Sequence, residues 1–164
     1  MTASLPAEVQ AVFDRFTTTE YTTIDRRGQP ITWPVTPYYR PGAGAIDVCT
    51  GIGYPKKAND AAGNPRVALL FSDPTGSGLE NPPAVLVQGD AEVAESLEWT
   101  PRALEQFKVS VLRQPDSQKF IANPVARRLF TFYFQRLTIT VRPRRILVWR
   151  VGDFSREPET IDVE

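Results

Sequence analysis

Short stretches of alternating apolar and polar residues dominate this chain, and most of them are bounded by glycine, proline or asparagine. Such alternation indicates half-buried β-strands. Pro34 and Pro37 interrupt one of these stretches, and Arg142-Pro143-Arg144 divides the last one into one or two strands. The pattern predicts strands over residues 21–25, 31–39, 46–50, 65–71, 85–94 and 137–151.

Helical periodicity occurs in shorter segments before and between these strands. A short helix is expected to begin near residue 56 and to end at Gly63-Asn64, and others begin near Thr100-Pro101 and Asn123-Pro124. Hairpin-connected strands with inserted helices indicate a mainly β (α+β) fold, an antiparallel barrel of about six strands with peripheral helices. After Ser4, which is suited to cap a helix, apolar residues recur at helical spacing: Val9, Val12, Phe13 and Phe16.

Length and charge limit the classes of protein to which this chain can belong. The 164 residues suffice for one domain with a substantial core, here residues 1–152, followed by an acidic C-terminal extension over 153–164. Because 19 basic residues balance 19 acidic ones, we expect no nucleic-acid or membrane-surface partner. The sequence has neither a bilayer-spanning apolar run nor the pattern of a signal peptide, and its single cysteine, Cys49, excludes an intramolecular disulfide. These features predict a cytoplasmic protein in which Cys49 is a buried small hydrophobic residue.

The chain contains no histidine, which removes the commonest general base and the commonest metal ligand. With one cysteine as well, zinc sites and Ser/His/Asp or Cys/His catalysis are excluded. No catalytic side chain and no metal site is therefore predicted. Any chemistry is expected to come from a bound organic cofactor.

The junction near residue 55 has the strongest chemical signal. Thr50 ends a predicted strand, and Lys56 and Lys57 begin a predicted helix, where outward N–H groups and the helix dipole favour an anion. Two plainer interpretations exist. A dibasic pair is commonly a solvated surface, and the Thr50 hydroxyl can serve the turn instead.

This segment resembles the pyridoxamine 5′-phosphate oxidase-like family of flavin-binding proteins. The resemblance covers about residues 20–95 and includes Cys49-Thr50, Pro55-Lys56-Lys57 and Asn64-Pro65-Arg66-Val67, followed by an apolar strand. It implies a split β-barrel in which Thr50, Lys56 and Lys57 contact the cofactor phosphate. Pro55 stands where the family has serine, which removes one hydroxyl and one backbone donor.

The strand with Trp33, Val35, Thr36 and Tyr38 refines this expectation. True pyridoxamine phosphate oxidases are expected to carry an arginine and a lysine here, whereas this chain has Trp33 and Tyr38. The aromatic-proline pattern resembles the flavin and deazaflavin oxidoreductase branch, whose corresponding strand lies along the cofactor ring. Trp33 and Tyr38 either stack on a ring or belong to the core. Backbone groups of Val35 and Thr36 can serve ring atoms whatever their side chains are.

The resemblance implies a flavin-dependent oxidoreductase that is not a true pyridoxamine phosphate oxidase. It is expected to transfer a hydride between FMN, or alternatively coenzyme F420, and a small organic acceptor. A homodimer with the cofactor at the subunit interface is also expected. The alternatives are a non-catalytic flavin-binding or carrier protein with the same barrel, and a barrel with an empty site that serves protein interaction.

Overall fold

The computed structural model describes residues 5–51, 53–95 and 136–163 of the chain. Most of these described residues form β-strands, and two α-helices accompany them. The helices are α1 (Ala7–Arg15) and α2 (Lys56–Gly63), and the strands are β1 (Thr19–Ile24), β2 (Pro30–Val35), β3 (Tyr38–Arg40), β4 (Ala45–Gly51), β5 (Arg66–Phe71), β6 (Ala84–Val93), β7 (Arg136–Trp149) and β8 (Glu159–Asp162).

The strands of the described residues form one antiparallel sheet in the order β2-β1-β5-β6-β7-β4-β3. The sheet curls into a half-barrel. Strand β7 pairs with β6 over most of its length, with β4 through its first half and with β8 through its second half. The ends of β4 and β7 therefore lie side by side, although more than eighty residues separate Gly51 from Arg136 in the sequence.

The β1–β2 hairpin fixes which residues face one another on the first two strands. One carboxylate oxygen of Asp25 accepts the backbone N–H groups of Arg27 and Gln29 at 2.8 and 2.9 Å, an arrangement that stabilises a tight turn. Gly28 adopts a positive φ of 76° in this turn, which a residue without a Cβ does at no steric cost. The resulting register places Trp33 directly opposite Tyr21.

A bulge lets β7 bend without breaking. The β6–β7 register shifts between Gln88 and Gly89, and Pro143 lies opposite Gly89. A Cβ at Gly89 would collide with the backbone carbonyl of Arg142, so only glycine fits this close approach. The proline, which lacks a backbone donor, is thus tolerated inside a long strand. The predicted division of residues 137–151 at Arg142-Pro143-Arg144 is not observed as two strands.

The interior of the curled sheet is filled by its own side chains. Helix α1 contributes Phe13, whose ring lies 5.0 Å from the Phe71 ring and 5.1 Å from the Tyr39 ring. Inward residues from the strands complete the core, including Tyr21, Ile46, Leu69, Val87, Ile139 and Ile146. A ligand as large as a flavin must therefore lie outside this interior.

The predicted fold class is confirmed: a mainly β, antiparallel barrel with peripheral helices. The sheet has eight strands rather than about six. Two causes account for the difference. The segment 31–39 divides into β2 and β3 around Pro37, and the predicted C-terminal extension contains β8, whose Ile161 packs partly against the core. The domain boundary at residue 152 stays a prediction.

Several predicted features lie outside the described residues: Ser4 and the helices that begin near Thr100-Pro101 and Asn123-Pro124. In the described part, α1 is preceded at its N-cap position by Pro6. Helices α1 and α2 are both too short and too polar to cross a bilayer.

Candidate functional site

The end of β4 and the start of α2 meet as the sequence predicts. Thr50 is fully buried, and its hydroxyl donates a hydrogen bond to the carbonyl of Tyr54 at 2.8 Å. This bond closes the turn between β4 and α2. Of the two roles considered for Thr50, a turn contact and a phosphate contact, the structure shows the turn contact. A contact between Thr50 and a phosphate stays a prediction. The Tyr54 side chain is 80% exposed, so an aromatic surface lies beside the turn.

Lys56 is held by an acid on its own helix. Its Nζ lies 2.9 and 3.1 Å from the two carboxylate oxygens of Asp60, one helical turn further along α2. Asp60 is buried, and it also accepts a hydrogen bond from the hydroxyl of Thr23 at 3.4 Å. The charge of Lys56 is therefore matched within the protein, and its predicted contact with a cofactor stays a prediction.

Lys57 has a different environment from its neighbour. Its side chain is half-buried, and its Nζ lies 5.8 Å from the centre of the Trp33 ring, within the range of a cation–π contact. Burial, and then the nearby Arg136 guanidinium, lower the pKa of Lys57, while the Cys49 thiol acts in the opposite direction. No carboxylate among the described residues forms an ion pair with this ammonium. The structure thus keeps a half-buried ammonium beside a second cation.

Arg136 is the residue that the sequence analysis missed. It is the first residue of β7 and lies opposite Gly51, the last residue of β4. No motif or short spacing links it to Lys57, so only the pairing of β4 with β7 brings it to the site. Arg142 and Arg144, further along β7, lie 3.5 Å from the carboxylates of Glu92 and Asp90, and all four side chains are substantially exposed, so these arginines are solvated strand charges.

Trp33 is the member of the predicted aromatic strand that reaches the site. It is half-buried against the core, and its indole Nε1 is buried without a hydrogen-bond partner in the described part of the chain. The hydroxyl of Tyr21, which lies opposite Trp33, is likewise buried without a hydrogen-bond partner in the described part of the chain. Burial, and then Asp60, raise the pKa of Tyr21, so this phenol remains a hydrogen-bond donor. Buried donors are rarely left unpaired, and the described residues supply no acceptor for these two.

The other three predicted residues lie further along the same chain segment. Val35 ends β2 with its side chain in the core, and Thr36 is half-buried between β2 and β3. Tyr38 begins β3 opposite Asp47. The predicted contacts of these three residues with a cofactor ring stay predictions.

The pKa of the Cys49 thiol depends on the charged residues of this site. It lies on the face of β4 opposite to Ile46 and Val48, and it is half-buried rather than buried as predicted. Burial raises the pKa of its thiol to about 11, although Arg136, a hydrogen bond with Thr138 and Lys57 all lower it. Both cations of the site therefore act on this one thiol.

We expect Cys49 to react slowly with iodoacetamide. A thiol with a pKa of about 11 is roughly 0.1% thiolate at pH 8, against about a quarter for an unperturbed cysteine. Alkylation at pH 8, followed by mass spectrometry, should be roughly two hundredfold slower than that of a cysteine peptide, and should accelerate about tenfold per pH unit up to pH 10. Lys57→Met should slow it further because one stabilising charge is lost. A rate equal to that of the peptide would contradict the assigned environment.

Comparisons with known proteins identify solved structures that share this fold. No protein-family model matches the chain, and no curated protein matches it in sequence. Among solved structures, general stress protein 26 from Bacillus anthracis strain Sterne has a TM-score of 0.61 and 16% identity, with 94% of this chain and 95% of that one covered. A protein from Clostridium acetobutylicum, related to general stress protein 26 and described as of the pyridoxinephosphate oxidase family, has a TM-score of 0.60 and 12% identity, with coverages of 94% and 92%.

An F420 reductase is also similar, with a TM-score of 0.57, 16% identity, and coverages of 87% of this chain and 98% of that one. At these identities the likeness shows the fold. The chain has the split β-barrel of the pyridoxamine 5′-phosphate oxidase-like flavin and deazaflavin proteins, so the resemblance drawn from the sequence is confirmed at the level of the fold.

Proposed function

We propose that this protein is an oxidoreductase that binds FMN or coenzyme F420 on the surface formed by β2, the end of β4, the start of α2 and the start of β7. The bound ring would exchange a hydride with a small organic acceptor. The observation that carries the proposal is the half-buried Lys57 ammonium, which lies over Trp33 and beside Arg136.

The residues present fit the anionic part of such a cofactor. Two neighbouring cations in a partly desolvated site repel each other, and a bound phosphate relieves that repulsion. The unpaired indole N–H of Trp33 offers a further donor. The filled barrel interior leaves the outer surface as the place for the ring. One fold neighbour is an F420 reductase, which supports keeping the deazaflavin as the alternative to FMN.

The chain's own contribution is binding and orientation. The cofactor, when bound, supplies the redox chemistry. Lys57 would hold its anionic end, and the backbone around Val35 and Thr36 would meet the polar atoms of the ring. This role requires no side-chain nucleophile, so it suits a chain without histidine.

We further propose that the active unit is a homodimer. Because the ring must lie outside the filled interior, a second copy is needed to cover its other face, and two-fold symmetry would create two equivalent sites. We expect an apolar contribution to this interface from the aromatic run Phe130, Phe132, Tyr133 and Phe134, which lies outside the described residues. Light scattering should give twice the 18.3 kDa mass of the chain. A monomer that binds one cofactor tightly would exclude the interface.

The visible spectrum of the purified protein tests the cofactor assignment, with mass spectrometry to identify any released compound. The apoprotein should then bind added FMN or F420 with micromolar affinity or better, and reduced cofactor should be turned over by a suitable acceptor. Binding without turnover by any acceptor would identify the carrier alternative. Failure to bind either cofactor would overturn the proposal and favour a protein-interaction role.

A further inference from the structure

A cavity of about 280 Å³ lies between the loop that connects β5 to β6 and the short 3₁₀ turn (Arg150–Gly152) that follows β7. Strand β6 begins at this cavity with Ala84, and its other end pairs with the first part of β7. Because a strand rises about 3.3 Å per residue, roughly 25–30 Å of strand separate the cavity from the start of β7. Among the described residues, none of those predicted for the cofactor site lines the cavity.

The walls of the cavity are uncharged. The Phe16 ring and three prolines of the β5–β6 loop supply flat apolar surface, and Ser72 and Asn81 are the polar side chains. None of the lining residues in the described part of the chain is ionisable. The Ser72 hydroxyl donates a hydrogen bond to the Glu20 carboxylate at 3.4 Å, so an anion in the cavity would face a negative charge. The cavity therefore favours an uncharged ligand.

Hydrogen bonds hold the β5–β6 loop in place as one wall of the cavity. Ser77 is buried, its N–H donates to the carbonyl of Pro74 at 3.0 Å, and its hydroxyl oxygen accepts the N–H of Leu79 at 3.1 Å. The Thr17 hydroxyl, just after α1, donates to the carbonyl of Thr75 at 3.3 Å and ties the loop to the helix. A wall fixed in this way is preformed, as the walls of small-molecule sites usually are.

Strained backbone is concentrated at the same cavity. Among the described residues, the non-glycine residues with a positive φ are Asn81, at 43°, and Val151, at 55°, and both line the cavity. A positive φ is a marked outlier for a β-branched residue. Val151 is also 67% exposed, so burial of its side chain does not explain the conformation. Strain of this kind is typical of ligand sites.

We propose that this cavity is a second small-molecule site, whose ligand is an uncharged aromatic molecule of one or two rings. An apolar cavity of about 150 Å³ accommodates benzene, so about 280 Å³ has room for a two-ring molecule such as indole. The Phe16 ring and the prolines suit a planar ligand, and Ser72 and Asn81 offer hydrogen bonds that orient it. The inference is independent of the proposed function and goes beyond it.

Indole is the probe, and benzoate and cyclohexanol are the comparison compounds. Indole should bind with a dissociation constant of about 0.01–1 mM, at least about tenfold more tightly than benzoate and about threefold more tightly than cyclohexanol. Amide NMR spectra of the labelled protein should shift at residues 72–84 and 150–152 and stay unchanged at residues 50–57. Added FMN should leave the affinity for indole unchanged within about twofold.

Two exposed apolar residues after β7 give a matched pair of variants. Val151→Asp places a carboxylate at the rim of the cavity and should weaken indole binding at least about tenfold. Phe154→Asp is the control, because Phe154 is 55% exposed and packs on Trp149, with ring centres 5.2 Å apart, and it should change the affinity less than about twofold.

A third variant narrows the cavity from inside. Ala84 is buried and lines the cavity, so Ala84→Val should weaken indole binding about threefold or more while retaining a residue suited to a strand. It keeps the test decisive if Val151→Asp does not fold. Circular dichroism and melting curves establish which variants are folded.

Each result supports or overturns the site. Saturable indole binding that maps to the cavity, is weakened by Val151→Asp or Ala84→Val, and survives Phe154→Asp supports it. Indole that does not saturate up to about 5 mM, or benzoate that binds as tightly as indole, would overturn it. Displacement of indole by FMN, or equal weakening by the two aspartate variants, would overturn the assigned location. A failure to bind FMN bears on the proposed function alone and leaves this site standing.

Discussion

Replacement of Lys57 by methionine should weaken cofactor binding about ten- to a hundredfold, whereas the same replacement of Lys56 should change it by less than about threefold. The two lysines are adjacent in the sequence but differ in their partners. The Lys57 ammonium lies over Trp33 with no acidic partner among the described residues, and the Lys56 ammonium is bound by Asp60. An anionic ligand therefore gains a new charge-assisted bond from Lys57 only.

Lys56→Met should instead lower stability. Asp60 would remain buried and would keep the hydrogen bond from the Thr23 hydroxyl, at a cost of about 1–3 kcal/mol, towards the lower end because half of the Lys56 side chain is exposed. For a chain of this length that corresponds to a fall in melting temperature of roughly 2–12 °C. Calorimetric titration with FMN and F420 and thermal melts of both variants check the two effects. Equal losses of affinity in the two variants would show that Lys56 leaves Asp60 to bind the ligand.

The local elements of this fold were predictable because their signals are local. Alternating residues in β1 and β5, and the position of Pro55 before α2 and Gly63 at its end, give elements that agree with the structure to within about two residues. Strand β8 was not predicted, because Glu159–Asp162 is acidic and largely exposed, and its pairing depends on the edge that β7 offers. The continuity of β7 through Pro143 depends equally on a distant residue, Gly89.

The site was predictable only in part, for the same reason. The spacing of Lys56 and Asp60 on one helix is the i,i+4 pattern that favours an ion pair, so their contact was readable from the sequence. The position of Arg136 could not be read from the sequence, because it follows from the pairing of β4 with β7, which are more than eighty residues apart. The contact of Lys57 with Trp33 likewise requires the β1–β2 hairpin to be in place.

The largest stability effect is expected from Arg40. Its Nε lies 2.7 Å from one carboxylate oxygen of Asp47, and its Nη2 donates to the other at 3.2 Å. The Asp47 side chain is completely buried on β4, between Tyr38 on β3 and Thr140 on β7 in the sheet register. Removal of the arginine breaks a buried ion pair, which typically costs about 3–5 kcal/mol.

Arg40→Met should therefore destabilise the protein by about 2–4 kcal/mol, since 22% of the Arg40 side chain is exposed and water partly screens the pair. The melting temperature should fall by roughly 4–16 °C. Arg142→Met is the matched control: it removes a contact with Glu92 in which both side chains are mostly exposed, and it should cost less than about 1 kcal/mol.

The double variant Arg40→Met/Asp47→Asn separates the ion pair from simple loss of packing. If the cost of Arg40→Met comes from an uncompensated charge, then neutralising Asp47 should recover part of it, and the double variant should be more stable than Arg40→Met alone. Denaturant unfolding of the four proteins in the cycle measures this coupling. Additive losses would mean that the arginine acts through its aliphatic contacts, and equal effects of Arg40→Met and Arg142→Met would rule out a buried ion pair beneath β3 and β4.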